Sequence, residues 1–547
     1  MWHSLVSGYS RLSPDGSQGR GLTWTLLLSA FMVSFGSPFL IGYNLAILNL
    51  PAPYIQTFLG RTILNLKENQ TAEGPITPEF LYAQVSTTFV LASALGAFSC
   101  GWVAEFLGRR NGLLFNHAFA ILGGVLCVPC VYANQAALLF VGRFFLGLNC
   151  GITTGVAPMY LIEIAPRELR GAIGACNQLG ITMGIVIAYV ASLTITLNTN
   201  ELWPIACGLC VVPATISLLV LPFCPESPRF LFIKRSDELE ARKAFHRLSS
   251  EENVDRFIAE LREEVELARS QPKFQFIQLF TQNDLRMPVL IACLVQLFQQ
   301  LSGINAVISY SSTMLKTTGI ADQYIQYCVL AIGLVNVIVT IIALMLLERA
   351  GRRTLLLWPT VVLAFALLLM TVTVNVASDA TSDSQQHSMG IASAILIVVF
   401  VCAFALGLGP VPALIVSEVF RQGPRAAAYS LSQCLLWLSN LIVLGGYPVI
   451  VKAIKGYSFL PFLVVVVVCW VFFFLFMPET RNRSFDEVAH ELAFRRIVVG
   501  RRTITPERRP LVSFAQEEQN TANTSELPGT EPLTRQVSRR NWQSNDD

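Results

Sequence analysis

Six side-chain amides stand inside otherwise apolar stretches of this 547-residue chain: Gln178, Gln296, Gln299, Gln300, Asn305 and Asn336. Glutamine and asparagine each offer a donor and an acceptor without a charge. In apolar surroundings such a group either bonds to a neighbouring helix or lines a polar space. Gln296 and Gln300 are one helical turn apart, and Gln299 adjoins the same face. With Asn305 they set three glutamines and an asparagine within ten residues, a density that predicts a polar cavity. Little else competes for chemistry. The five histidines, His3, His117, His246, His387 and His490, form no cluster. No catalytic residue, metal site or cofactor is therefore expected. Most of the 13 cysteines lie in apolar runs, with neither a disulfide framework nor zinc spacing. Cys127-x-x-Cys130 lacks the βαβ surroundings of a redox motif, and no Walker sequence points to ATP.

The elements that position these amides are membrane helices. Hydrophobic residues make up 53% of the chain and charged residues 14%, against about 25% charged in soluble domains. A net charge of +3 gives no reason to expect nucleic acid as a partner. A helix needs about 20 apolar residues to cross a bilayer, and long apolar runs without alternation are helices rather than barrel strands. Twelve spans are predicted, at 24–46, 81–103, 112–132, 137–160, 172–194, 202–222, 287–313, 324–347, 354–375, 390–416, 425–451 and 457–477. The expected organisation is an N-terminal segment 1–23, a six-helix half 24–223, a linker 224–286 of short amphipathic helices, a second six-helix half 287–477 and a tail 478–547, largely disordered. The first apolar run is too long for a signal-peptide core and reads as a retained span.

Charged motifs occur in pairs. Gly108-Arg109-Arg110, preceded by Glu105, recurs as Gly351-Arg352-Arg353, preceded by Glu348. Glu163 with Arg170 recurs as Glu418 with Arg425. Pro225-Glu226-Ser-Pro-Arg recurs as Pro478-Glu479-Thr-Arg. The offsets of 243, 255 and 253 residues imply a duplicated six-helix unit, the architecture of alternating-access carriers. Arg109 or Arg110 is expected to pair with Glu163 or Glu226, and Arg352 or Arg353 with Glu418 or Glu479. Such pairs would tie helix ends together when an inner gate shuts. Lys and Arg concentrate in the loops on the side of both termini, which places both termini in the cytoplasm. Asn69-Gln-Thr then falls in the first outer loop as an N-glycosylation site.

From about residue 24 to 485 the chain resembles the sugar porters of the major facilitator superfamily, and within them the animal facilitative glucose and fructose transporters. The resemblance rests on Gly42-Tyr43-Asn44, the Gly-Arg-Arg turns, Gly142-Arg143-Phe144, Arg170-Gly171, Gln178-Leu-Gly, Pro225-Glu-Ser-Pro-Arg, Gln299-Gln-Leu-Ser-Gly-Ile-Asn305, Glu348-Arg-Ala-Gly-Arg-Arg353, Gly409-Pro-Val-Pro412 and Pro478-Glu-Thr480. It implies an all-α fold of two six-helix halves around one central site, residence in the plasma membrane, and a neutral hexose as the partner besides membrane lipid; no obligate protein partner is evident. By this resemblance Gln178, Gln299, Gln300, Asn305 and Asn336 fall on sugar-binding positions, and Gln296 beside them.

The departures from the family pattern are informative. Glucose-preferring members carry an acid at the position of Ala405, a tryptophan at that of Ala413 and an asparagine at that of Leu436. The missing tryptophan resembles the fructose-handling branch, whereas Val307 resembles the glucose-preferring one, so glucose and fructose both stay open. Trp437 is retained and either lines the cavity or packs against core or lipid. Proton coupling needs a titrating group within the membrane. No acid falls in mid-span, and Asn44 stands where proton-coupled relatives carry an aspartate. Arg143 is expected near the outer end of the fourth span, where it can snorkel, and His117 is expected to be structural. The expected activity is thus hexose uniport. The alternatives are a proton-coupled sugar symporter, a carrier of another solute such as urate, which would want a cation in the cavity, and a non-transporting sugar sensor. In the tail, Arg495, Arg496, Arg501, Arg502, Arg508 and Arg509 offer contacts to anionic lipid, and Ser538 a kinase site.

Overall fold

The computed structural model describes residues 23–66, 76–166, 169–249, 254–270, 276–317, 321–378, 382–420, 422–481 and 488. Asn69 and the basic and Ser538 segments of the tail lie outside them. All regular structure among the described residues is helical. Ten stretches are long and apolar enough to cross a membrane. The last of them, 427–476, is two helices, and Arg170–Ala191 adds one more, with its apolar part at Cys176–Ala191. Twelve spans result. Lipid as the surrounding solvent accounts for their outer surface, on which Trp102 and Trp358 are 69% and 71% exposed.

Several predicted spans are not single helices. The first is α1 (Trp24–Gly36) and α2 (Pro38–Ala46), broken at Ser37, because Pro38 has no N–H to continue the ladder. A short amphipathic helix follows, α3 (Ala52–Ile63). Spans two to five are α4 (Pro78–Phe106), α5 (Arg109–Cys127), α6 (Ala136–Ile164) and α7 (Arg170–Ala191). The sixth is again divided, into α8 (Trp203–Gly208) and α9 (Val211–Val220). The linker holds α10 (Pro228–Ile233), α11 (Glu238–Leu248), α12 (Val254–Ser270) and α13 (Gln278–Thr281). The seventh span is α14 (Asn283–Leu301) and α15 (Ile304–Thr317), broken where Gly303 takes φ +92°. The eighth and ninth are α16 (Asp322–Ala350) and α17 (Arg352–Ser378). The tenth is α18 (Asp383–Leu406) and α19 (Val411–Val419), broken at Gly407–Pro410. The last two are α20 (Gln422–Ile454) and α21 (Leu460–Phe476).

Close helix packing comes from small residues. Gly147, Gly151 and Gly155 repeat every four residues on α6 and face α4. A Cβ on Gly151 would overlap the Ser93 carbonyl oxygen, and one on Gly147 that of Phe89. Without a hydrophobic drive between helices in lipid, such backbone approach is what dispersion forces need. Across the two halves α4 packs along α20, and α7 along α16.

The linker helices carry polar outer faces. Glu238 bonds Arg242 and Arg262, and Arg242 also reaches Asp255 at 2.6 Å. The two arginines, Arg262 first, hold the exposed Glu238 carboxyl below its ordinary range. This small bundle is tied to the first span by Thr23, whose hydroxyl donates to the Leu248 carbonyl at 2.9 Å while capping α1.

Candidate substrate cavity and charged motifs

A cavity of about 130 Å³ opens at mid-depth between the halves. Besides Thr154 of α6, four groups of helices supply its polar lining. From α7 come Asn177, Gln178 and Thr182; from the broken seventh span Gln296, Gln299, Gln300 and Asn305; from α16 Asn336; from α20 Tyr429, Gln433, Trp437 and Asn440. Ile41 and Leu45 of α2, Phe404 and Ala413 supply apolar surface, and among the described residues no Lys, Arg, His, Asp or Glu lines it. The breaks shape this lining. With α18 ending at Leu406, the carbonyl of Gly409 is free to accept from Gln299 Nε2 at 3.1 Å. Asn305 Nδ2 donates to Gln300 Oε1 at 2.5 Å across the break at Gly303. Two amides are fully enclosed with neither polar atom taken up: Gln296, 1% exposed, and Asn440, 0% exposed. A buried polar group without a partner costs about 1–3 kcal/mol, so these amides call for water or a hydroxyl-bearing solute.

Gln178, Gln296, Gln299, Gln300, Asn305, Asn336, Ala413 and Trp437 thus meet around one space. Ala405 does not. It is 2% exposed and lies in the last turn of α18, behind Gly409, outside the cavity lining. Trp437, left open between cavity and core, lines the cavity and donates its Nε1–H to Thr154 Oγ1 at 3.3 Å. Asn177, Tyr429, Gln433, Asn440 and Thr154 were missed by the sequence reading. Residues 429, 433, 437 and 440 follow helical spacing through Trp437, a signal that was available.

Arg143 corrects a further expectation. It is 2% exposed rather than snorkelling. Its Nη1 donates to the Asn44 carbonyl at 3.0 Å and its guanidinium stacks 4.1 Å from the centre of the Phe89 ring. An aromatic face stabilises a desolvated cation. His117 is fully buried and shares a hydrogen bond of 2.9 Å with Ser217, which joins the third and sixth spans.

The charged motifs form two copies of one device. Arg109 Nε and Nη2 donate to Glu163 Oε1 at 3.1 and 2.8 Å; Arg352 repeats this on Glu418 Oε1, with Nε at 3.1 Å and Nη2 at 2.9 Å. Glu226 accepts the backbone N–H of Arg109 and Arg110 at 3.1 and 2.9 Å, and Glu479 those of Arg352 and Arg353 at 2.8 and 3.1 Å. Each glutamate therefore places a negative charge on the positive end of a helix. Gly108 and Gly351 begin these helices at φ +99° and +84°, and a Cβ on either would stand 2.6 Å from the capping carboxylate. Ser227 and Thr480 then donate to the second oxygens of Glu163 and Glu418. None of these bonds joins one half to the other; those of Glu226, Ser227, Glu479 and Thr480 fasten the start of the linker and of the tail to the half that precedes it. Glu105 stands apart and pairs with Lys234 at 3.3 Å, both well exposed. The side chains of Arg170, Glu348 and Arg425 lie outside the described residues.

Between described residues, cross-half hydrogen bonds are densest at the end opposite these motifs, besides the bonds of Tyr429 and Trp437 to Thr154 beside the cavity. Asn49 Nδ2 donates to Ser311 Oγ at 2.7 Å and to the Ile308 carbonyl at 2.8 Å, and Ser312 Oγ donates to Asn49 Oδ1 at 2.6 Å. Tyr189 donates to the Ile308 carbonyl at 2.9 Å. The cavity is thus closed off at that end.

Two pseudo-repeated helical halves, with a polar cavity between them sealed at one end, define a membrane carrier of the major facilitator fold. Solved structures agree on the fold. The proton:xylose symporter XylE bound to 6-bromo-6-deoxy-D-glucose superposes with a TM-score of 0.71 at 22% identity, over 85% of this chain and 98% of that one. A partially occluded inward-open form of XylE from E. coli gives 0.69 at 21% identity, over 84% and 100%. The sequence pattern described as "Sugar (and other) transporter" matches residues 29–492. The sheep solute carrier family 2 facilitated glucose transporter member 3 is 38% identical over 467 residues, 85% of this chain and 92% of its own. The human facilitated glucose transporter member 4 is 38% identical over 496 residues, 89% and 94%. The chain belongs to the sugar transporter family, and it is a carrier rather than an enzyme.

Proposed function

We propose that this chain carries a hexose, glucose or fructose, by uniport across the plasma membrane, with both termini in the cytoplasm. The observation that carries this reading is the cavity's chemistry: side-chain amides from both halves, two of them fully enclosed without protein partners, and no Lys, Arg, His, Asp or Glu among the described lining residues. Hydroxyls are donors and acceptors at once and match amides on both counts. An organic anion would need a cation here. A proton-coupled cycle would need a titrating group, and the acids described in the spans stand at helix ends, while the buried Arg143 faces the Asn44 carbonyl instead of a carboxylate. With the charged motifs on the cytoplasmic side, the Asn49 seal is extracellular, and the structure corresponds to a cavity closed to the outside. Six residues of the motifs, Arg109, Glu163, Glu226, Arg352, Glu418 and Glu479, stiffen each half at its cytoplasmic face, so that the halves rock as bodies. The two halves 24–223 and 287–477 and the linker between them are the moving units of this cycle.

Uptake of labelled glucose and fructose into proteoliposomes, at equal pH and then with an imposed proton gradient, tests the reading. Equilibration without accumulation is the expected result for at least one sugar. Accumulation driven by the gradient would make the chain a symporter, and a folded protein that passes neither sugar would point to another solute or to a sensor.

A further inference from the structure

Resting on the hexose reading above, we infer that Gln433 is a specificity-determining residue that hydrogen-bonds one hydroxyl of the bound sugar. The wall built by α18, α19 and the adjoining turn of α20 is otherwise apolar where it meets the cavity, with Phe404, Ala413 and Leu436 facing inward. Gln433 is the amide this stretch of wall presents. Its position on α20 is fixed from both sides. Tyr429, one turn before it, reaches the Thr154 carbonyl at 3.5 Å, and Trp437, one turn after it, donates to the Thr154 hydroxyl at 3.3 Å. Both anchors lie on the other half, so the stripe that carries Gln433 cannot rotate away from the cavity without breaking them.

Gln433 is 4% exposed and lines the cavity. Among the described residues its amide has no hydrogen-bond partner, whereas Tyr429 and Trp437 have theirs in Thr154 and Gln299 has its own in Gly409. A buried amide aimed into a space is satisfied by whatever fills that space. A site built to bond a substrate hydroxyl discriminates strongly against an analogue that lacks it, because the protein group is then left unpaired. Opposite this wall the amides of α7 and α14 hold the other edge of the solute, so Gln433 sets which hydroxyl pattern is accepted at the edge facing the tenth span.

The test uses the purified full chain in proteoliposomes, with glucose, fructose and the monodeoxy analogues of the better-carried sugar as competitors. The readout is the ratio of parent to analogue affinity within each variant, which is independent of how much protein is active. Gln433→Leu is expected to weaken the parent sugar by about tenfold, the factor one lost hydrogen bond gives, and to leave a single monodeoxy analogue unchanged. Gln433→Asn, with the amide kept on a shorter stem, is expected to fall between. If every analogue weakens by the same factor as the parent, or if Gln433→Leu leaves all ratios as they are, the inference is overturned while hexose transport stands. If the wild-type chain carries no hexose, the functional reading fails and takes this inference with it.

Discussion

Replacing Glu226 by Gln distinguishes a scaffold from a gate. The Glu226 carboxylate accepts the N–H groups of Arg109, Arg110 and Ser227 at 3.1, 2.9 and 2.9 Å, with Asn111 more distant at 3.4 Å. Glutamine keeps one acceptor oxygen and turns the other position into a donor facing donors. It also removes the negative charge from the start of α5. A lost cap costs about 0.5–2 kcal/mol and a lost charge at a helix N-terminus about 0.3–1 kcal/mol. With one oxygen retained, about 1–2 kcal/mol is expected in total. For a unit the size of one half, each kcal/mol moves the midpoint by about 2–4 °C, so Tm should fall by about 2–8 °C. Unfolding in detergent is compared at one scan rate, since large proteins unfold irreversibly. Glu479→Gln should act alike on the other half. The two share no partner, so their effects should add to within about 0.5 kcal/mol. Hexose KM should stay within about twofold of wild type, since uniform substrate binding is untouched. The reasoning is refuted if Tm is unmoved while KM or the ratio of inward to outward flux changes about tenfold; the motif would then act between the halves.

Three further outcomes are expected. Gly151→Ala forces a Cβ onto the Ser93 carbonyl oxygen where backbone cannot yield; overpacking of this kind costs about 1–3 kcal/mol or more, and a loss of monodisperse protein on size-exclusion chromatography checks it. Ala413→Trp fills exposed cavity wall beside Phe404; the glucose-to-fructose uptake ratio in proteoliposomes should shift toward glucose, and an unchanged ratio would remove Ala413 from the selectivity argument. Asn44→Asp brings a titratable group beside the buried Arg143; uptake should become pH-dependent in the variant and stay flat in wild type.

The spans were legible because crossing a bilayer demands length and apolarity, and both are written in composition. The pairing of Arg109 with Glu163 and of Arg352 with Glu418 was legible because duplication prints the same residues twice. The breaks at Ser37, Gly303 and Gly407–Pro410 were not, since a hydropathy run passes through a serine or glycine without notice while the backbone turns on φ and on a missing N–H. Ala405 was singled out by its place in the family pattern, and that pattern does not show that it falls outside the cavity lining, in the last turn before the helix ends at Leu406. Gln433 and Asn440 were overlooked because they stand seven residues apart in one apolar run, unlike the dense amides of the seventh span. Arg143 was misread because depth along a helix does not reveal the Phe89 ring that a neighbouring helix brings to it.

The Asn49 seal is made entirely of amide, hydroxyl and carbonyl groups, whereas the opposite face is held by arginine–glutamate pairs that are 15–25% exposed. Ionic strength therefore reaches the two ends of the cavity unequally. Dissolved salt screens charges over about 8 Å at physiological concentration, so it loosens the ionic face and leaves the neutral seal untouched. One end of the transport path answers to the electrolyte around it, and the other only to temperature and to the solute it encloses.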